Sequence, residues 1–446
     1  MSKKKQIHEL EVINPNVGAV DIGDKLHVIS YFDYSNQKII CKEYGSFTTD
    51  LQEIVNEFKQ NKVTSVAIES TGVYWVNLFE LLEQNGIEAN LVNPKHVKNV
   101  TGRKKDDTDS MWILKLHCYG LLTKSFVPDT EIKDLRSLMR HRNNLIKSQT
   151  IETKRMQKNL ELMNIKVHTV MSDITGVSGM RIIEAIINGE RDPKKLSTLV
   201  ARNVKATKDQ IIKSLDGIWK KNNLFCLEQY YQNYNHISDQ IRKTEIQIKN
   251  QLEEITYKLY EGDTSVLSHI EPKTKKKLKK KEFYFNVREY LKVIWKVDVI
   301  AIAGISEITA LSLLSEIGWD MSHWKSAKHF AAWLNLAPNT KISGGSIISS
   351  KMQKKKNQAG IYLRQAAFTL SNEKGVLGTL YRKHKFQLGG KGAVIATAHK
   401  MSRIIYHMIS KQVELDLKKV TDTSEQARTK KIIQLEKQLE KLKKAS

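Results

Sequence analysis

Four carboxylates and one hydroxyl stand where side chains do chemistry more often than they cover a core. Asp21 closes the apolar run VGAVD, and Glu69 closes VTSVAIE. Asp106 and Asp109 lie three apart in GRKKDDTDSMWIL, a spacing that puts both on one face if the segment is helical. Carboxylates at strand ends and on a helix face can converge, and such a cluster repels itself unless it holds hard cations. Two Mg²⁺ roughly 4 Å apart are the usual occupants where phosphoryl groups are transferred. The competing reading is four unrelated surface acids, which suits Asp106 and Asp109 better than two acids that both end buried strands. Asp24 and Asp107 are further acids nearby. Ser343 directly precedes Gly344-Gly345, a pair that lets backbone approach a ligand and leaves the hydroxyl exposed. So placed, it can attack a phosphate once its proton is drawn off, although Ser-Gly-Gly is also an ordinary turn.

The elements that must position these groups can be read from periodicity. VGAVD (17–21), LHVISYF (26–32) and KIICKEY (38–44) predict strands, the last two antiparallel across Tyr34-Ser35-Asn36. Asp50 is placed as the cap of a helix with an apolar stripe at Leu51, Ile54, Val55 and Phe58. A strand at 63–69, a helix over 74–84 stopped by Asn85-Gly86, and a strand at 88–92 follow. Periodicity alone gives mixed α/β; the order is one seen in ribonuclease H-like domains.

Residues 130–165 hold neither Pro nor Gly and predict one long helix or two. Leu227, Tyr230, Tyr234, Ile237 and Ile241 step by three and four, and Ile248, Leu252, Ile255 and Leu259 continue after a slip. That seam suits a coiled coil between subunits or an amphipathic helix on its own core. PKTKKKLKKK (272–281) carries seven lysines in ten residues, either a solvated loop or a grip on nucleic-acid backbone through Lys276, Lys277 and Lys280. A turn at Ala303-Gly304, a helix from Ser306 to Ile317 ended by Gly318, and a second helix capped by Ser326 resemble a helix-hairpin-helix, whose turn amides can hold a phosphate. Beyond Ser343 come the basic residues Lys351, Lys354 and Lys355, then a helix from near Gly360 that carries Arg364. GGKG (389–392) lacks the spacing of a nucleotide-binding loop.

Composition narrows the partner. The 73 Lys and Arg against 48 Asp and Glu leave +25, the charge of a protein that meets a polyanion. Cys41, Cys118 and Cys226 are too scattered for a metal site or a disulfide framework, which predicts a reducing compartment. No apolar run approaches the ~18 residues of a membrane span, and the start lacks a signal peptide's apolar region, so a cytoplasmic location is expected. At roughly 150 residues per domain, 446 residues suggest about three domains.

Taken together, VDIGDKLH (20–27), ESTGVYW (69–75), VNPKHVK (92–98), GRKKDDTDSMWILKL (102–116), SFVPD (125–129), IAGISEITALSLLSEIG (302–318), LAP, SGG and LR resemble the DEDD transposases of the insertion sequence 110 family, relatives of the Piv-type DNA invertases. The resemblance spans about 17–195 and 297–370. It implies a ribonuclease H-like (RuvC-like) domain at 1–128, a helical coiled-coil region with a basic insertion at 129–296, a mainly helical transposase domain with a catalytic serine at 297–420, and a basic helical tail at 421–446. Asp21, Glu69, Asp106 and Asp109 match the family's metal-binding tetrad and Ser343 its serine. Arg103, Lys104 and Lys105 join the lysines and Arg364 named above as nucleic-acid contacts. The implied activity is DNA transposition and recombination through a covalent phosphoserine, with Mg²⁺ (two ions per site), donor and target DNA, and a non-coding bridge RNA. A homo-oligomer, as a dimer or a dimer of dimers, goes with it, in a prokaryotic cytoplasm and on the nucleoid when active. Lys105 stands where the family has Thr, Ser110 where it has Ala, Asp107 adds an acid between the expected two, and Ile361 replaces a common Asn. The alternatives are a metal-dependent nuclease of the Holliday-junction type without serine chemistry, and a non-catalytic RNA-binding coiled-coil protein.

Overall fold

Strict alternation along the first strand decides which residues can be core and which can be site. Val17 and Ala19 turn to one side of a sheet, Val20 and Ile22 to the other, and all four are buried. The computed structural model describes residues 11–94, 97, 108–202, 204–273, 281–353, 356–417, 432, 433 and 436. The chain divides into two units, Met1–Val127 and Pro128–Ser446.

In the first unit, β1 (Val17–Ile22), β2 (His27–Asp33), β3 (Lys38–Tyr44), β4 (Ser65–Glu69) and β5 (Glu88–Val92) form one sheet in the order β3-β2-β1-β4-β5. β1–β2 and β2–β3 are antiparallel, while β1–β4 and β4–β5 are parallel. The parallel crossovers are helical: α1 (Thr48–Gln60) and α2 (Trp75–Gln84) bury Leu51, Ile54, Val55, Phe58, Leu78 and Leu82 on the Val20 face. α3 (Asp109–Cys118) covers the opposite face with Trp112, Ile113, Leu114 and Leu116. The mixed α/β expectation thus holds, with strand limits within two residues of those read from periodicity. Asp50 is a correction: α1 starts at Thr48, so Asp50 sits inside its first turn and its carboxylate accepts from the Phe47 N–H (2.9 Å).

The second unit is mainly helical. α4 (Thr130–Leu162) is one continuous helix, followed by α5 (Val177–Ile187). α6 (Lys221–Leu259) runs back along α4, as Gln149 bonded to Ser238, Arg142 to Glu245 and Lys258 to Glu131 show. The apolar seam at Ile248, Leu252 and Ile255 is buried within its own chain, with Ile237 and Ile241 half-buried. α7 (Val287–Trp295), α8 (Glu307–Ile317), α9 (Ala327–Trp333), α10 (Gln358–Thr369) and α11 (Val376–Lys411) build the last core around Leu311, Leu314, Phe330, Leu363 and Met401. Ser306 caps α8, which Gly318 ends as expected, and a single 3₁₀ turn, Val299–Ala301, stands before the Gly304 turn. Gly304 has φ +87°, and a Cβ there would meet the Ala366 carbonyl at 2.8 Å. Among the described residues no helix is long and apolar enough to cross a membrane.

Arg142 locks the α4–α6 pair. It is 1% exposed, donates Nε and Nη2 to Glu245 Oε1 (2.9 and 2.6 Å), gives Nη2 also to the Lys281 carbonyl (2.8 Å), and lies 3.9 Å over the Phe283 ring. Burial pushes the Glu245 carboxyl up and Arg142 pulls it down. A buried charge left without its partner costs about 3–5 kcal/mol. Arg142→Ala is therefore expected to lower the urea stability of the second unit by about that much, and Arg142→Met with Glu245→Leu to recover most of it. Equal losses in both variants would contradict a pair held by mutual neutralisation.

His117 performs the matching task in the first unit. Asn90 Nδ2 donates to Ser65 Oγ (2.7 Å), which meets His117 Nε2 at 2.9 Å, fastening the end of α3 to β4 and β5. Burial, reinforced by the Lys124 charge, lowers His117 to about 4. The unfolded chain takes up this proton first, so the stability held above about pH 6.5 drains away as pH falls toward 4. The first unit's melting temperature should fall between pH 7 and pH 5, and His117→Gln, which keeps a hydrogen bond without a charge, should flatten the slope. An unchanged slope would remove His117 as its cause.

Candidate functional site

Asp21 and Glu69 are brought level by strand register. Val20 pairs with Ile68 across the parallel β1–β4 ladder, and the next step along each strand is Asp21 and Glu69. Paired positions share a face and adjacent strands lie about 4.8 Å apart. The face is that of Ala19 and Ala67, the one α3 covers. Both carboxylates are half-buried at the carboxyl ends of their strands, and Thr71 Oγ1 donates to Glu69 Oε1 (3.3 Å).

Asp109 arrives on the same face from above. It is exposed, and it begins α3 directly after Thr108, whose hydroxyl accepts from the Met111 N–H (3.3 Å). The neighbouring Ser110 is buried and hydrogen-bonded to Ser30 on β2 (2.8 Å), and Ser30 pairs with Ala19 on β1. Asp109 is thereby set over the strands that carry Asp21. Because Thr108 is extended, the i, i+3 argument for a shared helical face does not extend to Asp106, which with Asp107 lies outside the described residues.

Oxygen donors on neighbouring strands are the chemistry that hard divalent cations select. Asp21 and Glu69 fit that requirement. Among the described residues, no three His, Cys, Asp or Glu side chains gather closely enough to hold a metal ion. The third expected ligand is outside them.

Ser343 belongs to the second unit. It ends β6 (Lys341–Ser343), pairs with Ser346 at the start of β7 (Ser346–Ser349), and the strands are joined by Gly344 and Gly345 at φ +56° and +77°. Two successive positive φ values define the tight hairpin turn that side-chain-bearing residues resist. The hydroxyl stands exposed at the tip, with Ile342 (64%) and Ile348 (69%) exposed below it. The base is fixed: the Asn339 N–H donates to the Lys351 carbonyl (3.1 Å), and Asn335 Nδ2 to that of Gln353 (3.1 Å). Asn357 caps α10 through the Gly360 N–H (2.9 Å), and a Cβ at Gly360 would lie 2.0 Å from the Leu334 carbonyl. Arg364, read as a nucleic-acid contact, is half-buried with Nη1 toward the Asn335 carbonyl (3.5 Å), and so steadies the entry to the hairpin. Lys351 is exposed beside it; Arg103, Lys104, Lys105, Lys276, Lys277, Lys280, Lys354 and Lys355 lie outside the described residues.

Two signals were missed by reading motifs alone. Ser346 is a second hydroxyl at the same tip. More telling is the charge of 321–413, sixteen Lys and Arg against one acid, Glu373. That acid is already engaged, its Oε2 accepting from the Gly378 N–H (2.8 Å) at the start of α11. Crowding shows in Lys400 and His399, whose pKa values are lowered by burial and by the nearby Arg403. A count of acids per segment would have revealed the patch.

Comparison with known proteins finds two matched segments, the first of which runs past Val127 into the second unit. Residues 18–165 match the model of the DEDD transposase of IS110, and residues 299–381 match that of the transposase IS116/IS110/IS902 family. The two matches hold, in order, the described acids and the serine hairpin, and together they span just over half of the chain. No curated protein matches the chain. Two successive matches to one family, on the segments that carry the strand-end acids and the serine hairpin, establish that this chain belongs to the IS110 family of transposases.

Proposed function

We propose that this transposase cuts and rejoins DNA with Ser343 as nucleophile and with Asp21, Glu69, Asp106 and Asp109 as the acidic site. The observation that carries the reading is the level placement of Asp21 and Glu69 on one sheet face, in a chain that also presents a serine at the exposed tip of a hairpin. In the forward step Ser343 Oγ bonds to phosphorus, the bond from phosphorus to one deoxyribose oxygen breaks, the serine proton leaves to a base, and the departing oxygen gains one. Reversal by a different strand end rejoins DNA without ATP, since the phosphoserine keeps the energy of the broken diester. Asp21 and Glu69 would hold a divalent cation of the Mg²⁺ class, with Asp109 and Asp106 completing the set. Bound there, it supplies polarisation of the phosphate oxygens and neutralises charge on the attacking and leaving oxygens. The Gly344-Gly345 turn sets Ser343 at the hairpin tip, where its hydroxyl can meet a phosphate.

The same reading places donor and target DNA on the basic second unit, with a non-coding bridge RNA choosing sequence by base pairing. Acids and serine stand on separate units of the chain, a division suited to sites composed between copies in a dimer or a dimer of dimers. The setting is the prokaryotic cytoplasm, on the nucleoid during recombination.

Incubation with donor DNA and Mg²⁺, followed by denaturing gels, tests the chemistry. Ser343→Ala should abolish the covalent protein–DNA adduct while Ser346→Ala retains it, and Asp21→Asn or Glu69→Gln should slow adduct formation by about a hundredfold or more. Cleavage that survives Ser343→Ala, with no adduct in the parent protein, would establish the water-using nuclease instead. Recombination that proceeds at full rate after the RNA is removed would eliminate the guide.

A further inference from the structure

α11 does not run straight. Gly389 has φ +71° and ψ +176°, which breaks the helix between Leu388 and Gly390. In a continuous helix His384 and Thr397 would be about 20 Å apart. His384 Nδ1 instead meets Thr397 Oγ1 at 3.2 Å, so the chain folds back into a helical hairpin with its tip near 385–391. The tip stands clear: a Cβ at Gly389 or Gly390 would have no described heavy atom within 4 Å.

Its side chains are unusual for a surface. Phe386 is 94% exposed and Leu388 58%, while Arg382, Lys383, Lys385 and Lys391 are exposed around them. The gain of burying a phenyl ring is left unused at Phe386 by this fold. No acid occurs between Glu373 and Glu414, so no carboxylate of α11 offsets these cations. The tip also lies just past the segment that matches the family, 299–381.

We infer that Phe386 is a stacking platform for an unpaired nucleotide, with Lys383, Lys385 and Lys391 holding the flanking phosphates. Its ring offers a flat apolar face, and its neighbours demand negative charge; an exposed base joined to phosphates supplies both. A paired duplex presents no free base face, and a protein partner would have to bring a cluster of acids. Either single-stranded DNA or RNA carries the required chemistry. The inference rests on the chain's being a nucleic-acid enzyme but not on serine chemistry.

Phe386→Trp in the full chain, freed of nucleic acid by high salt, tests it with the parent titrated as the blank. Single-stranded dT and U oligomers should quench the added indole on binding, the stronger quench identifying DNA or RNA as the natural source, whereas a blunt duplex of equal length should bind without quenching. Phe386→Ala should weaken binding to single strands roughly tenfold and to duplex less than twofold. The exposed position makes both variants safe for folding. Binding without quenching, equal losses on single strands and duplex, an indole shift on raising protein concentration alone, or one on adding anionic vesicles would each overturn the assignment. Because the signal needs no cleavage, it should persist in Ser343→Ala. A failure of stacking and a failure of serine chemistry are thus seen separately.

Discussion

The parallel register of β1 on β4 is the constraint from which the first unit follows. A strand alternates with period two, so a slip of one residue would carry Asp21 from the α3 side into the cluster of Val20, Ile68 and Phe58. That outcome would bury a carboxylate among apolar side chains at a cost no neighbour there offsets. The apolar pattern and the acidic site are therefore one specification: correct burial of Val20 and Ile22 already aims Asp21 at the other face. Small residues finish the arrangement, because Ala19 and Ala67 leave room for α3 to lie close over the strands. At Gly18 even a Cβ would meet the Phe58 ring at 2.7 Å.

Seating α3 is left to polar contacts. An apolar helix face can slide along a sheet with little loss, whereas hydrogen bonds between buried groups admit one position. Ser110 on Ser30 fixes the start of α3, and His117 on Ser65 and Asn90 fixes its end. The first of these uses Ser110, so this chain holds the helix that carries Asp109 with a hydroxyl contact. Arg142 on Glu245 does the same for the α4–α6 pair, where heptad-like apolar residues alone leave the register degenerate.

Much of this was readable from local pattern, and the remainder was not for identifiable reasons. Asp21 and Glu69 announced themselves because an apolar strand that ends in a carboxylate is a local signal, and Ser343 because a Gly pair follows it. The spacing of Asp106 and Asp109 suits a shared helical face only if the segment is helical throughout, and Thr108, directly before Asp109, is instead the extended cap that begins α3. The seam of α6 showed that a face is covered without showing by what. Its partner α4 lies roughly a hundred residues away in the chain, and pairings at such separations leave no periodic trace. Gly360 and Gly304 read as turn or boundary residues; the carbonyls of Leu334 and Ala366 that exclude a side chain come from distant segments.

The second unit pays an electrostatic cost that its own fold does not return. Sixteen cations stand against one acid in 321–413, and within it burial, with the charge of Arg403 added, lowers the pKa values of Lys400 and His399. Two projections rise from this segment, the β6–β7 hairpin and the helical hairpin of α11, the first turning on Gly344 and Gly345 and the second on Gly389. Glycine at these turns keeps each tip narrow, at the cost of the freedom it has in the unfolded chain. One tip presents hydroxyls and the other an aromatic ring, and each belongs to a segment whose charge suits a polyanion. Binding that polyanion supplies the neutralisation the isolated chain lacks. The segment is thus expected to gain stability as phosphates enter and to lose that gain as salt screens them.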